Sequence, residues 1–132
     1  MSYYERDLPH WQAECAGLFL TWRLHDSLPK EYFEQRTTLP PGREFVRQDR
    51  VLDKAEHGPV WLKDSRVAAC VADAVKFGET KLELYELQAW VIMSNHVHLL
   101  IGPKAPLARI NRSLRGYSAR EANRILGRTG PF

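Results

Sequence analysis

Apolar and polar residues alternate along Gly17–Leu24, where Leu18, Leu20, Trp22 and Leu24 recur at every second position. That period predicts a strand with one buried face. Leu28 to Gly42, with Pro29, Pro40, Pro41 and Gly42, reads as loop. From Arg43 to His57 the period lengthens to that of a helix carrying Phe45, Val46, Val51, Leu52 and Ala55, and Gly58-Pro59 is the expected stop. Asp64 or Ser65 can cap a second helix, whose apolar face runs through Val67, Ala68, Val71, Ala74, Val75 and Gly78. Leu84–Met93 and His96–Ile101 then read as a hairpin turning at Ser94-Asn95. A last helix is predicted over Leu107–Leu126, with Leu107, Ile110, Leu114, Tyr117, Ala122 and Ile125 on one face. Gly116 inside it costs about 1 kcal/mol relative to alanine and marks a candidate bend.

The order strand, helix, helix, hairpin, helix implies an α+β domain, with an antiparallel sheet and helices packed on one face. At 132 residues, 44% hydrophobic and 27% charged, the chain has the size of one domain, residues 1–132. No apolar run approaches the roughly 20 residues needed to span a bilayer. The first residues lack the layout of a secretory signal. Cys15 and Cys70 have no spacing that suggests a disulfide framework or a zinc knuckle. The expectation is a soluble, cytoplasmic protein with no membrane partner.

Charge is unevenly spread. From Lys104 onward seven basic residues face one acid, Glu121, giving that segment +6 and leaving the first 103 residues at −3. Arg109, Arg112, Arg115 and Arg120 fall on the arc of the last helix opposite its apolar face. They are candidate contacts for the phosphates of a nucleic acid, although a solvated helix face would look the same.

Candidate chemistry centres on His96-Val97-His98. Residues i and i+2 of a strand point the same way, roughly 7 Å apart along the chain, so both imidazoles leave one face while Val97, Leu99 and Ile101 leave the other. Two such rings can converge on one divalent cation, but a third ligand must come from elsewhere. Spacing nominates none among His10, His25 and His57. Two half-buried histidines without a metal would also satisfy the pattern.

The stretch Val91-Ile-Met-Ser-Asn-His-Val-His-Leu-Leu-Ile101 resembles the signature of the HUH nucleases, in particular the single-tyrosine transposases and, more narrowly, the REP-associated tyrosine transposases. Leu8-Pro-His-Trp11, Leu18-Phe-Leu-Thr-Trp-Arg-Leu24, Gly58-Pro-Val-Trp-Leu-Lys63 and Ser113–Arg124 also read like that family, so the likeness extends over nearly all of the chain. A histidine-triad nucleotide hydrolase would need a third alternating histidine, where this chain has Leu100. The resemblance implies a ferredoxin-like sheet that binds single-stranded or hairpin DNA. It also implies Mg²⁺ or Mn²⁺ on His96 and His98, and a tyrosine that attacks the phosphodiester to leave a 5′-phosphotyrosyl bond. Relatives of this kind can dimerise.

The chain departs from that pattern at its end. In the family the nucleophilic tyrosine, and a polar residue one turn later that completes the metal site, lie on a helix beyond the position matching Phe132. The sequence is therefore read as stopping short of that helix and inactive in cleavage, with a non-catalytic DNA- or RNA-binding remnant as the alternative. Tyr117, four residues before Glu121, is the fallback nucleophile, against the reading that it packs beside Leu114. Asn95 reads as a turn residue. Trp22 and Trp90 read as core, while Trp11 and Trp61 are left open between packing and base stacking.

Overall fold

The computed structural model describes residues 2–5, 9–12, 17–34 and 39–132; the side chains of the first two segments, among them Tyr3, Tyr4 and Trp11, lie outside the described set. The described elements are β1 (Ser2–Glu5), β2 (Pro9–Gln12), β3 (Leu18–Arg23), α1 (Lys30–Glu34) and α2 (Pro41–Lys54). A 3₁₀ turn (Trp61–Lys63), α3 (Ser65–Thr80), β4 (Tyr85–Ile92), β5 (His96–Pro103) and α4 (Leu107–Leu126) follow. The strands form one antiparallel sheet in the order β1-β2-β3-β5-β4. β3 and β4 are parallel to each other with β5 between them and α3 connecting them, the ferredoxin-like arrangement; β2 occupies the other side of β3.

Alternation sorts the side chains of β3 and β5. Leu18, Leu20 and Trp22 of β3, with Val97, Leu99 and Ile101 of β5, join Val67, Val71 and Val75 of α3 and Ile110, Leu114 and Ala122 of α4 in one buried cluster. Each large aliphatic side chain so enclosed contributes roughly 1.5–3 kcal/mol of transfer free energy. Helices α3 and α4 thus cover one face of the sheet, as the α+β pattern implies. Across that face Gly78 lets the two layers touch: a Cβ there would stand 2.5 Å from the Tyr85 hydroxyl, which donates to the Val75 carbonyl. Burial, with Glu79 nearby, pushes the Tyr85 phenol up to about 12.

Helix α2 lies on the opposite face. Pro41 occupies its first turn, where a missing N–H costs nothing. Its end falls before the expected Gly58-Pro59 stop, because Ala55 adopts the left-handed conformation and donates its N–H to Leu52 O. Gly58 serves a different purpose: at φ +76° it packs so closely on Asp26 that a Cβ would lie 2.0 Å from the Asp26 carbonyl oxygen. The Leu28–Gly42 stretch is not wholly loop, since α1 forms within it and places Tyr32 against Leu28 and Leu52.

Three further expectations need correction. Helix α4 runs unbroken through Gly116, because its buried residues Ile110, Leu114, Ser118 and Ala122 hold both halves on the core. Trp90 is not core: β4 is an edge of the sheet, and its indole is 36% exposed, near the Lys76 ammonium. Tyr117 is 40% exposed rather than packed beside Leu114. No helix among the described residues is long and apolar enough to cross a membrane.

Candidate metal centre

On the face covered by α2, β3 presents Phe19 and Thr21 beside β5, whose His98 is in register with Thr21. Helix α2 is fixed there by Phe45, whose ring meets Phe19 edge-on at 5.2 Å and His98 at 5.7 Å. A clamp with α1 braces it from behind: the Tyr32 hydroxyl donates to the Glu44 carboxylate, and the Arg47 guanidinium lies 4.1 Å over the Tyr32 ring while donating to Glu44 Oε1 and Tyr32 O. Burial and the Glu44 carboxylate raise the Tyr32 phenol far above its ordinary range, so it stays a donor. Phe45, Asp49 and Asp53 are spaced four residues apart, on one stripe of α2. The same docking that seats Phe45 therefore delivers Asp49 to the histidine pair.

Asp49 Oδ1 stands 2.9 Å from His98 Nε2 and 3.2 Å from His96 Nε2. Asp49, His96 and His98 form a half-buried cluster whose ligand atoms all lie within 4.8 Å of one another. An ion with bonds of about 2.1 Å separates neighbouring octahedral donors by about 3.0 Å. The two carboxylate–imidazole distances, 2.9 and 3.2 Å, match that edge length.

The other nitrogen of each ring is fixed. Asn95 Nδ2 donates to Leu52 O at 2.9 Å, so its Oδ1 faces His96 Nδ1 at 2.8 Å. An amide oxygen only accepts, so His96 carries its proton on Nδ1 and turns the Nε2 lone pair toward Asp49. At His98, Thr21 Oγ1 lies 3.0 Å from Nδ1 and Asp49 Oδ1 lies 2.9 Å from Nε2. A hydroxyl can donate or accept, so these partners hold the ring with Nε2 inward in either tautomer. His96 is 1% exposed, and its Nε2 has no hydrogen-bond partner although a carboxylate oxygen stands 3.2 Å away. Burial, then the neighbouring His98, lower the His96 pKa, and the two aspartates only partly oppose them. A neutral imidazole lone pair facing a carboxylate oxygen is repulsive unless a cation lies between them. The donor set, the spacing and the orphaned Nε2 all fit a divalent metal ion.

The third candidate ligand, which the sequence assigned to no residue of this chain, is Asp49. Asn95 likewise is not simply a turn residue. The described non-glycine residues with positive φ are Asp26, Ala55 and Glu83, and the Asn95 amide instead ties α2 to the first histidine. The only sequence signal for Asp49 is its four-residue spacing from Phe45 and Asp53.

Other residues singled out in the sequence lie apart. Helix α4 packs on the core face, so the sheet stands between Tyr117 and the histidines, and the Glu121 carboxylate is engaged by Arg124 at 2.8 Å. Arg109, Arg112 and Arg120 are exposed on α4. Arg115 is half-buried and leaves that arc to line a cleft of about 420 Å³ with Trp22, Arg23, His25, Phe33 and Phe132. Trp61 stacks on Phe132 at 5.8 Å, with Arg128 4.0 Å over its ring. Beside His98, on the metal side of the sheet, Phe19, Ala89, Val91 and Leu100 line an apolar groove of about 320 Å³. Compared with protein-family models, with curated proteins and with solved structures, the chain matches none.

Proposed function

We propose that this chain is a domain of the HUH kind, related to the single-tyrosine transposases, whose fold and metal centre serve cleavage and rejoining of single-stranded or hairpin DNA through a phosphotyrosine. The observation that carries the reading is the meeting of His96 Nε2 and His98 Nε2 on Asp49 Oδ1. Asp49, His96 and His98 would hold a divalent ion, Mg²⁺ or Mn²⁺, which when bound would supply Lewis-acid polarisation of a phosphodiester. The chain's own residues prepare that chemistry. Asn95 and Thr21 hold both imidazoles with Nε2 inward, and Asp49 contributes the anionic ligand. The apolar groove of Phe19, Ala89, Val91 and Leu100 beside His98 would offer an unpaired base an apolar surface to lie on. Arg109, Arg112 and Arg120 would hold phosphates of a more distant part of the DNA, and neutralising one should lower the salt slope of binding by somewhat under one unit.

The distribution of tyrosines favours a second reading, a non-catalytic DNA- or RNA-binding domain. Tyr32 and Tyr85 are buried, and Tyr117 is on the far side of the sheet. Cleavage through a phosphotyrosine therefore needs a tyrosine other than these three.

Incubation with hairpin DNA and Mn²⁺, read on a denaturing gel, tests the proposal. Strand cleavage that disappears in Asp49→Asn and in His98→Ala supports the nuclease. Binding without cleavage in the wild type supports the second reading. A covalent adduct that disappears in Tyr117→Phe would make Tyr117 the nucleophile and overturn this account of where the chemistry occurs.

A further inference from the structure

Asp53 follows Asp49 by one helical turn, and its Oδ1 stands 3.7 Å from His96 Nε2. Its side chain is 49% exposed and stands outside the Asp49, His96 and His98 set, so it borders the cluster on the solvent side and would turn inward to reach an ion there. His96 Nε2, fully enclosed and without a hydrogen-bond partner, is aimed at both aspartates. We propose that Asp53 is a fourth protein ligand, and that the resulting two-imidazole, two-carboxylate set selects Mn²⁺ over Mg²⁺. The inference rests on the metal-centre reading and narrows its ion.

Two features of the donor set carry the selectivity. Imidazole nitrogen is a ligand for first-row transition ions, a series in which Mn²⁺ binds most weakly and shares with Mg²⁺ a preference for carboxylates. Mg²⁺ also gives up water reluctantly and is held mainly through carboxylates and phosphates, so the two imidazoles are what separate the two ions. The two histidines are also committed as nitrogen donors, because Asn95 and Thr21 already occupy their Nδ1 atoms. Two carboxylates balance the charge of a divalent ion, and four protein donors leave an octahedral ion two positions for water or a phosphodiester oxygen.

The test is Mn²⁺ titration of the whole chain, followed by electron paramagnetic resonance of free Mn²⁺ and by water-proton relaxation of the bound ion. Loss of an outer-shell partner alone commonly costs 10–100-fold in metal affinity, so loss of a ligand in Asp53→Asn should weaken Mn²⁺ binding by at least about tenfold. Bound Mn²⁺ in that variant should also relax water faster, because one more coordinated water replaces the carboxylate. In the wild type, Mg²⁺ should displace Mn²⁺ only when present in large excess, as expected where two of the donors are nitrogens. Asp53→Glu, which keeps the carboxylate, should restore most of the affinity. Unchanged affinity and relaxation in Asp53→Asn, with binding lost in His96→Ala, would overturn the fourth ligand and leave the triad standing. Displacement by equimolar Mg²⁺ would overturn the selectivity. A wild type that binds no Mn²⁺ would overturn the metal centre and this inference together.

Discussion

The two faces of strand β5 are built from alternate residues of one eight-residue segment, yet they follow different rules. Val97, Leu99 and Ile101 enter a core closed by two long helices, where shape and area decide the energy. His96 and His98 enter a face closed by α2, where hydrogen bonds to Asn95 and Thr21 decide the geometry. A polar group buried without a partner costs on the order of 1–3 kcal/mol, and the second face accepts such a group at His96 Nε2. The core face stabilises the sheet by enough to tolerate that cost. One strand can therefore present metal ligands rigidly, because its other side is anchored.

The sharpest way to break the comparison is one truncation on each face. Leu99→Ala removes a fully buried side chain and should lower unfolding free energy by about 2–5 kcal/mol in urea titrations. The folded fraction should still bind Mn²⁺. His98→Ala should abolish Mn²⁺ binding while costing roughly 1–3 kcal/mol of metal-free stability, because buried Thr21 loses its partner. Equal damage to both properties in both variants would mean that the faces are not separable.

Asn95→Ala acts on the join between α2 and the histidines. Deleting its buried amide should cost roughly 1–3 kcal/mol of stability. It should also weaken Mn²⁺ binding by about 10–100-fold, because His96 loses the partner that fixes its tautomer. Unchanged affinity would remove Asn95 from the account of the site.

Acid should affect the metal-free protein through the same face. Burial lowers the His96 pKa below its ordinary value near 6.5, so the unfolded chain takes up that proton first as pH falls. The stability that His96 contributes is complete above about 6.5 and is lost as pH falls through the lower, folded value. Urea midpoints measured without metal should decline over that window, and the decline should be smaller in His96→Gln.

The smallest effect is expected at Tyr117. An exposed tyrosine on the far helix should tolerate Tyr117→Phe within about 0.5 kcal/mol of stability and with no change in Mn²⁺ affinity. A marked loss of metal binding in that variant would contradict the separation of α4 from the centre.

Much of this architecture was legible because it is local. Period-two alternation identified β3 and β5, helical period identified α3 and α4, and the His-x-His spacing put both rings on one face. Asp49 was not legible in the same way, since two acids one turn apart on a helix look like any solvated surface until α2 is known to lie across the sheet. Asn95 does lie in the bend between β4 and β5, as read, but its second task was hidden for a related reason: only the tertiary contact with Leu52 O ties its amide to α2. The Trp90 error shows the limit of composition, because a run of strand formers does not say which strand is an edge.

Calorimetric titration of the metal-free chain with Mn²⁺, repeated on His96→Ala/His98→Ala and on Asp49→Asn, addresses the metal centre most directly. The wild type should bind one ion per chain. The double histidine variant should show no binding heat, and Asp49→Asn should bind far more weakly while unfolding at a urea midpoint close to that of the wild type. Identical heats from all three proteins would contradict the assignment of Asp49, His96 and His98 as a metal centre.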